Sequence, residues 1–300
     1  MVVTWGQPTD YTSFTALPQY FETCLETCLN LTSCVAVSSN TSGSCLMFRL
    51  DEISAVERLD ETSGSKVGIK RTFDDESTCP SGSSEPLISG GTASGDTFLN
   101  DAVYQEYSIS YTSPHWTLTT TKTIACPSTD WKLFFRNLGP WCIGVVMNST
   151  GYTNDGASTY CAATPGGVLT AIQTVEEFNY MQNQIANLSN LVPTGSQYNR
   201  TGVWLGGRRK ASCTYNLPRT AACNGSNEFD FDDTTFQLPG YYPWYGNNPA
   251  GMGNQEKEDC ILSSVIENQL FFDDYKCNVA IPHSWMIMRG RVCGVAPTVS

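Results

Sequence analysis

Three hundred residues carry 13 cysteines, 17 Lys plus Arg, 29 Asp plus Glu and two histidines. That length serves two domains of ordinary size, and a net charge of −12 excludes a nucleic-acid binder, which needs clustered Lys and Arg against phosphates. The 40% of hydrophobic and 15% of charged residues describe a globular chain, and no apolar run approaches the roughly 18–20 residues of a membrane span.

Thirteen thiols in a reducing compartment would be a liability, so the expected setting is oxidising and extracellular. Six N-x-Ser/Thr sequons agree with it: Asn30, Asn40, Asn148, Asn187, Asn199 and Asn224, each among polar or turn-forming neighbours. The start, Met1-Val2-Val3-Thr4-Trp5, has neither a basic n-region nor an apolar h-region, so a signal peptide is expected to have been removed from a secreted protein.

In chain order, Val2–Trp5 reads as a strand. Phe21, Cys24, Leu25 and Cys28 then recur at three- and four-residue steps, which places them on one face of a helix. Two cysteines at i and i+4 point the same way, so each bridges more naturally to a following strand than to its neighbour. Cys34 and Cys45 lie in such strands, and the expected pairs are Cys28–Cys34 and Cys24–Cys45. A zinc site is the rival reading; the Cys-x3-Cys spacing and the lack of a nearby histidine argue against it. The opening Trp5-Gly6 strand, the paired helix cysteines, the two strand cysteines and a closing Gly64–Lys70 strand resemble a PAN-type domain, in the short form found at the front of nematode C-type-lectin-like proteins. The resemblance covers residues 1–71.

Residues 72–125 are expected to be a Ser/Thr/Gly-rich linker ending in a β-hairpin. Thr72–Leu99 is poor in large apolar residues, and Tyr104–Thr123 reads as two strands around a turn at Thr112–His115. Acidic residues concentrate in this front part: residues 1–125 hold 15 acidic and 6 basic residues, a net −9.

The second half begins with Cys126 and Cys142 around a short hairpin, a loop whose closure contributes about 3 kcal/mol. Thr174 and Glu177 have capping-box spacing, and Phe178, Met181, Ile185 and Leu188 continue the apolar face of the helix they start. The strand Trp204-Leu205-Gly206-Gly207, the pair of segments bounded by Cys260 and Cys277, and a final strand from Trp285 to Cys293 complete the order. This order resembles a long-form C-type lectin-like domain over residues 126–293, followed by a tail at 294–300. The fold class expected for the chain is therefore α+β: a PAN-like helix-on-sheet module followed by a lectin-like domain. The resemblance implies the bridges Cys161–Cys293, Cys260–Cys277 and Cys126–Cys142. Cys213 and Cys223 most simply close their own loop. Cys79 is left over, a candidate link to a partner chain.

Sugar-binding members of that family hold calcium, and through it vicinal hydroxyls, with a Glu-Pro-Asn or Gln-Pro-Asp triplet, a later Glu and a Trp-Asn-Asp motif. The matching positions here are Asn248-Pro249-Ala250, Glu258 and Phe272-Asp273-Asp274. The resemblance thus implies Asn248, Glu258, Asp273 and Asp274 as calcium and ligand residues, with Ala250 a lost donor and calcium weakened or dispensable. The plainer alternative leaves Glu258 on the surface and has Asp273 and Asp274 capping a turn. Tyr241–Tyr245 offers rings on which sugars could stack, against a packing role for Trp244 and some of the tyrosines. Arg208-Arg209-Lys210 is the only basic run, either a contact for an anionic glycan or a solvated loop. Gly90-Gly91 fits no phosphate loop. His115 and His283 sit in no Ser-His-Asp order, and Glu258 and Asp259 are poorly placed as an acid–base pair, so no enzyme is expected. The expected function is a secreted lectin-like protein recognising glycans, with a role in surface recognition or defence implied by the resemblance. The alternative is an extracellular protein–protein interaction module that has lost calcium and sugar.

Overall fold

The computed structural model describes residues 1–39, 44–73, 92–191, 198, 200–213, 220–253, 256–266, 269–281 and 286–300. Asn40, Cys79, Gly90-Gly91, Asn199, His283 and Trp285 lie outside the described residues. The chain divides into two compact units, residues 1–129 with 298–300, and residues 130–297.

In the first unit the strands are β1 (Val2–Tyr11), β2 (Thr15–Leu17), β3 (Ala36–Ser39), β4 (Cys45–Phe48), β5 (Ile53–Arg58), β6 (Lys66–Ile69), β7 (Thr92–Asn100), β8 (Val103–Thr112) and β9 (His115–Ala125). They form one antiparallel sheet in the order β2-β4-β3-β6-β1-β5-β9-β8-β7. Helix α1 (Phe21–Asn30) buries Cys24 and Cys28, while Phe21 and Leu25 pack beside them. Cys24 is bridged to Cys45 on β4, and Cys28 to Cys34 just ahead of β3. Two cystines thus staple one helix face to the sheet.

The hairpin expected over Tyr104–Thr123 is present as β8 and β9, but the reading of 72–125 as a linker needs correction. From Thr92 onward the chain is three long strands, and β9 pairs with β5 of the front sheet. Tyr107, Ile109, Trp116 and Leu118 are buried in one core with Val35, Phe48, Val56 and Ile69. The polar composition misled because β-strands alternate: Ser, Thr and Glu occupy one face while a few large residues bury on the other. The Tyr107 hydroxyl donates to the Lys70 carbonyl at 2.6 Å, tying β8 to the end of β6.

The second unit contains β10 (Lys132–Arg136), β11 (Gly139–Met147), α2 (Asn154–Cys161), β12 (Val168–Leu169), α3 (Val175–Leu191), β13 (Arg200–Arg209), β14 (Phe229–Asp230), β15 (Met252–Gly253), β16 (Glu256–Lys257), β17 (Cys260–Ile266), β18 (Gln269–Tyr275) and β19 (Met286–Val295). Its main sheet runs β10-β11-β19-β13-β17-β18, with β13 and β19 parallel and the other pairs antiparallel. The last short strand, β20 (Thr298–Val299), pairs with β9 in the first unit's sheet.

Helix α3 buries Phe178, Met181 and Ile185 at the spacing read from the sequence, with Leu188 packed against the same core. The Thr174 hydroxyl caps the Glu177 amide at 3.2 Å. The Glu177 carboxylate accepts from Gln173 N at 2.7 Å and holds the buried Arg136 guanidinium through two bonds of 2.8 and 2.9 Å. Asp233 completes this triad at 2.8 Å from Arg136 and also accepts from the Thr170 hydroxyl and Ala171 N. On β13, Trp204 is fully buried and its indole donates to the Tyr152 carbonyl at 2.8 Å. Gly206 admits the Leu169 carbonyl where any Cβ would collide. The cystines are Cys161–Cys293, Cys213–Cys223 and Cys260–Cys277, and Cys126 and Cys142 are each disulfide-bonded as well.

Candidate ligand-recognition site

The residues singled out on the second unit come from three places: the loop after the aromatic run, the segment leading into β17, and β18. The Asn248–Pro249 peptide is cis, and Pro249 is buried while Ala250 is exposed. The Asn248 amide nitrogen donates to Asp273 Oδ1. Glu258 is buried just ahead of β17, with its backbone N donating to the Gly251 carbonyl at 3.2 Å.

Asp273 and Asp274 have different fates because adjacent strand residues face opposite ways. Along β18, Leu270, Phe272 and Asp274 are buried, whereas Phe271, Asp273 and Tyr275 are only partly so. Asp274 accepts from Ala250 N at 2.8 Å, from Gly251 N at 2.6 Å and from Arg209 Nη2 at 2.6 Å. Its carboxylate is spent on holding the loop.

Arg209, which the sequence reading left in a basic run as either an anionic-glycan contact or a solvated loop, has another place. Its side chain is buried: Nη1 pairs with Glu228, Nε donates to the Glu258 carbonyl at 3.0 Å, and the guanidinium lies 4.8 Å from the centre of the Phe229 ring. Strand alternation was the available signal: within β13, Arg208 points out and Arg209 points in. Lys210 Nζ is held by the Asn227 carbonyl at 2.8 Å.

Burial, followed by the charges of Asp274 and Asp273, pushes the Glu258 carboxyl up to about 7; Lys276 and Arg209 partly offset it. Burial, then the Asp274 charge, pushes Asp273 up to about 7. The two folded-state values lie above the ordinary 4.5 and 3.8. These groups therefore add stability that is complete below the unfolded values and is lost as pH rises through about 7. Asp273→Asn is expected to stabilise the protein at pH 8 by on the order of 2 kcal/mol and to leave it nearly unchanged at pH 4. Thermal unfolding of both proteins at the two pH values checks this. A variant less stable than wild type at pH 8 would refute it.

Calcium wants six to eight oxygens, several of them carboxylates. Here Asp274 and Glu228 are engaged by Arg209, Ala250 has no side-chain oxygen, and Asn248 turns its N–H to Asp273. Among the described residues no group of three His, Cys, Asp or Glu is arranged to hold a metal ion. Among the described residues, Glu258, Asp273 and the Asn248 carbonyl are fewer oxygen donors than calcium takes, and the cation beside them is the Arg209 guanidinium.

The aromatic run divides as well. Tyr242 is partly buried and packs against the core, with its hydroxyl accepting from Ile172 N at 3.2 Å, and Trp244 stacks on Tyr242 and Phe229. Tyr245 stays 46% exposed, edge-on to Phe271, and its carbonyl accepts from Asn248 N at 3.1 Å. Tyr245 and Asn248 thus share one loop, with Asp273 reaching Asn248 from β18.

A sheet of this order, stapled by Cys161–Cys293 and Cys260–Cys277 and carrying a cis-proline loop beside a short β-ribbon, defines a C-type lectin fold. The family model described as C-type lectin domain-containing protein 141/158 matches residues 135–296, more than half of the chain, and a PAN-like domain matches residues 1–71. The chain belongs to that C-type lectin domain-containing family. Among solved structures it is similar to human lithostathine (15% identity, 57% of this chain and 91% of that one, TM-score 0.37). It is also similar to herring type II antifreeze protein (19%, 57% and 98%, 0.34). A third is the C-type lectin domain of murine dendritic cell inhibitory receptor 2 in complex with N-glycan (17%, 57% and 99%, 0.34). No curated protein matches the sequence.

Proposed function

We propose that this protein is a secreted lectin-like recognition protein that binds saccharide without calcium, through Asn248, Glu258 and Asp273 with the Tyr245 ring beside them. One observation carries the reading: the cis-proline loop brings Asn248 onto Asp273 while Tyr245 stays exposed next to it. Carboxylate oxygens accept from sugar hydroxyls, and the amide offers both a donor and an acceptor. An aromatic face takes the C–H face of a pyranose. Asp274 and Arg209 are positioning residues, holding the loop and compensating the buried carboxylates. The disulfide bridges and the exposed sequon residues Asn30, Asn187 and Asn224 support an extracellular setting.

Binding to an immobilised glycan array, in calcium at about 5 mM, above the ~10⁻⁴–10⁻³ M dissociation constants of weak extracellular sites, and in chelator, tests the proposal. The expected result is binding to a restricted set of glycans, unchanged by chelator and weakened by Asp273→Ala. Binding abolished by chelator would overturn the calcium-independent reading. Binding to no glycan would leave the protein–protein interaction alternative, which the loss of an oxygen donor at Ala250 favours.

A further inference from the structure

The second unit has a cleft of about 420 Å³, lined by Arg208, Lys257, Asp259, Lys276, Cys277 and Asn278. Three cations meet there with one carboxylate, in a chain whose net charge is −12. They come from separate elements: Arg208 from the outward face of β13, Lys257 from the end of β16, and Lys276 from the residue after β18. The Cys260–Cys277 bridge fixes the wall between them.

The three cations are held differently. Lys257 is exposed and makes no ion pair among the described residues. Arg208 pairs with Asp155, but both side chains are more than half exposed, and such pairs exchange readily for a better acceptor. Lys276 lies close enough for its charge to be felt by the Glu258 carboxyl. Asp259, the one acid in the cleft, faces Arg209 Nε at 3.7 Å. Like charges gathered around one cavity repel, and an oxyanion seated among them relieves that repulsion through charge-assisted hydrogen bonds.

We propose that this cleft receives a sulfate or carboxylate substituent of the saccharide held at Asn248, Glu258 and Asp273. The inference rests on the glycan reading above and names its ligand class as an anionic glycan. The two subsites adjoin along the chain: Lys257 and Asp259 flank Glu258, and Lys276 follows Asp274 by two residues. They have opposite signs. Glu258 and Asp273 accept from hydroxyls and repel further anionic charge, while the cleft attracts it. The ligand favoured by this pair is a saccharide with free hydroxyls and one acidic group, in preference to a uniformly charged polyanion. The Asn278 amide adds an uncharged donor at the cleft.

The test uses the intact glycosylated chain on an array that presents each saccharide in neutral form and in sulfated or sialylated form, at near-physiological salt. At least one acidic member is expected to bind about tenfold more tightly than its neutral counterpart. In the double variant Lys257→Ala, Lys276→Ala that preference is expected to vanish, with neutral binding retained. High salt is expected to reproduce the variant's effect, since exposed charges are screened. Equal binding of neutral and acidic forms by wild type would overturn the inference and leave the glycan reading standing. So would a preference that survives in the double variant. Binding to neither form would defeat the glycan reading itself. Should the double variant fold poorly, Lys257→Ala alone, at an exposed position, carries the test through a partial loss of the preference.

Discussion

Replacing Arg209 by methionine is expected to destabilise the protein by about 3–5 kcal/mol, because it leaves Asp274 and Glu228 buried without their cation. Asp274 is 1% exposed and Glu228 4%. Glu228 already has one buried oxygen, Oε1, without a hydrogen-bond partner, so it is poorly placed to absorb a further loss. Neutralising the two acids in the same background, with Glu228→Gln and Asp274→Asn, is expected to restore much of that stability, since an uncharged amide is far less costly to bury. With the guanidinium gone, Glu228 and Asp274 lose the one cation that both pair with. Thermal unfolding of wild type, the single variant and the triple variant reads both effects. A variant within 1 kcal/mol of wild type (about the worth of one ordinary hydrogen bond) would show that Arg209 is not the charge partner of the loop.

Arg136→Met is the second large effect, also about 3–5 kcal/mol. Arg136, Glu177 and Asp233 are almost completely buried, and the guanidinium makes five hydrogen bonds, to Glu177, Asp233, Thr235 and the Ala171 carbonyl. Replacing all three members by apolar residues would not return the protein to wild-type stability. Thr170 Oγ1, Ala171 N and Gln173 N would each lose a carboxylate acceptor in the interior, at about 1–3 kcal/mol apiece. Arg136→Lys is expected to recover only part of the loss, because a single ammonium cannot reproduce the guanidinium fork. Denaturant titration of the three proteins checks the order. A triple apolar variant as stable as wild type would mean that the triad serves specificity rather than stability. Its place supports both roles, since it joins β10 to the start of α3 and to the chain that enters the aromatic run.

Local features were legible in the residues. The three- and four-residue steps of Phe21, Cys24, Leu25 and Cys28 give the buried face of α1, and those of Phe178, Met181 and Ile185 give the buried face of α3. Both depend on a period that short-range geometry imposes. The Thr174–Glu177 cap was equally readable, but the carboxylate also serves Arg136, 41 residues away. The front sheet was less so. Thr72–Leu99 looks like a linker because large apolar residues are few, and Tyr104–Thr123 reads as a hairpin; only pairing with β5 reveals that Tyr107, Ile109, Trp116 and Leu118 complete a core begun by Val35 and Phe48.

At the site, the resemblance read from the sequence singles out which side chains to look at: Asn248, Glu258, Asp273 and Asp274 stand where it implies the ligand residues of sugar-binding members, with Ala250 in place of an oxygen donor. Tertiary structure decided what they do. The pleat of β18 sends Asp273 toward Asn248 and Asp274 inward, where Ala250 N, Gly251 N and Arg209 consume it. The pleat of β13 likewise splits Arg208 from Arg209 and turns one basic run into an internal counter-ion and a cleft-lining cation. Strand alternation can be guessed from residues alone. Which charge meets which depends on register between strands far apart in the chain, because electrostatic partners are chosen by distance in space rather than in sequence.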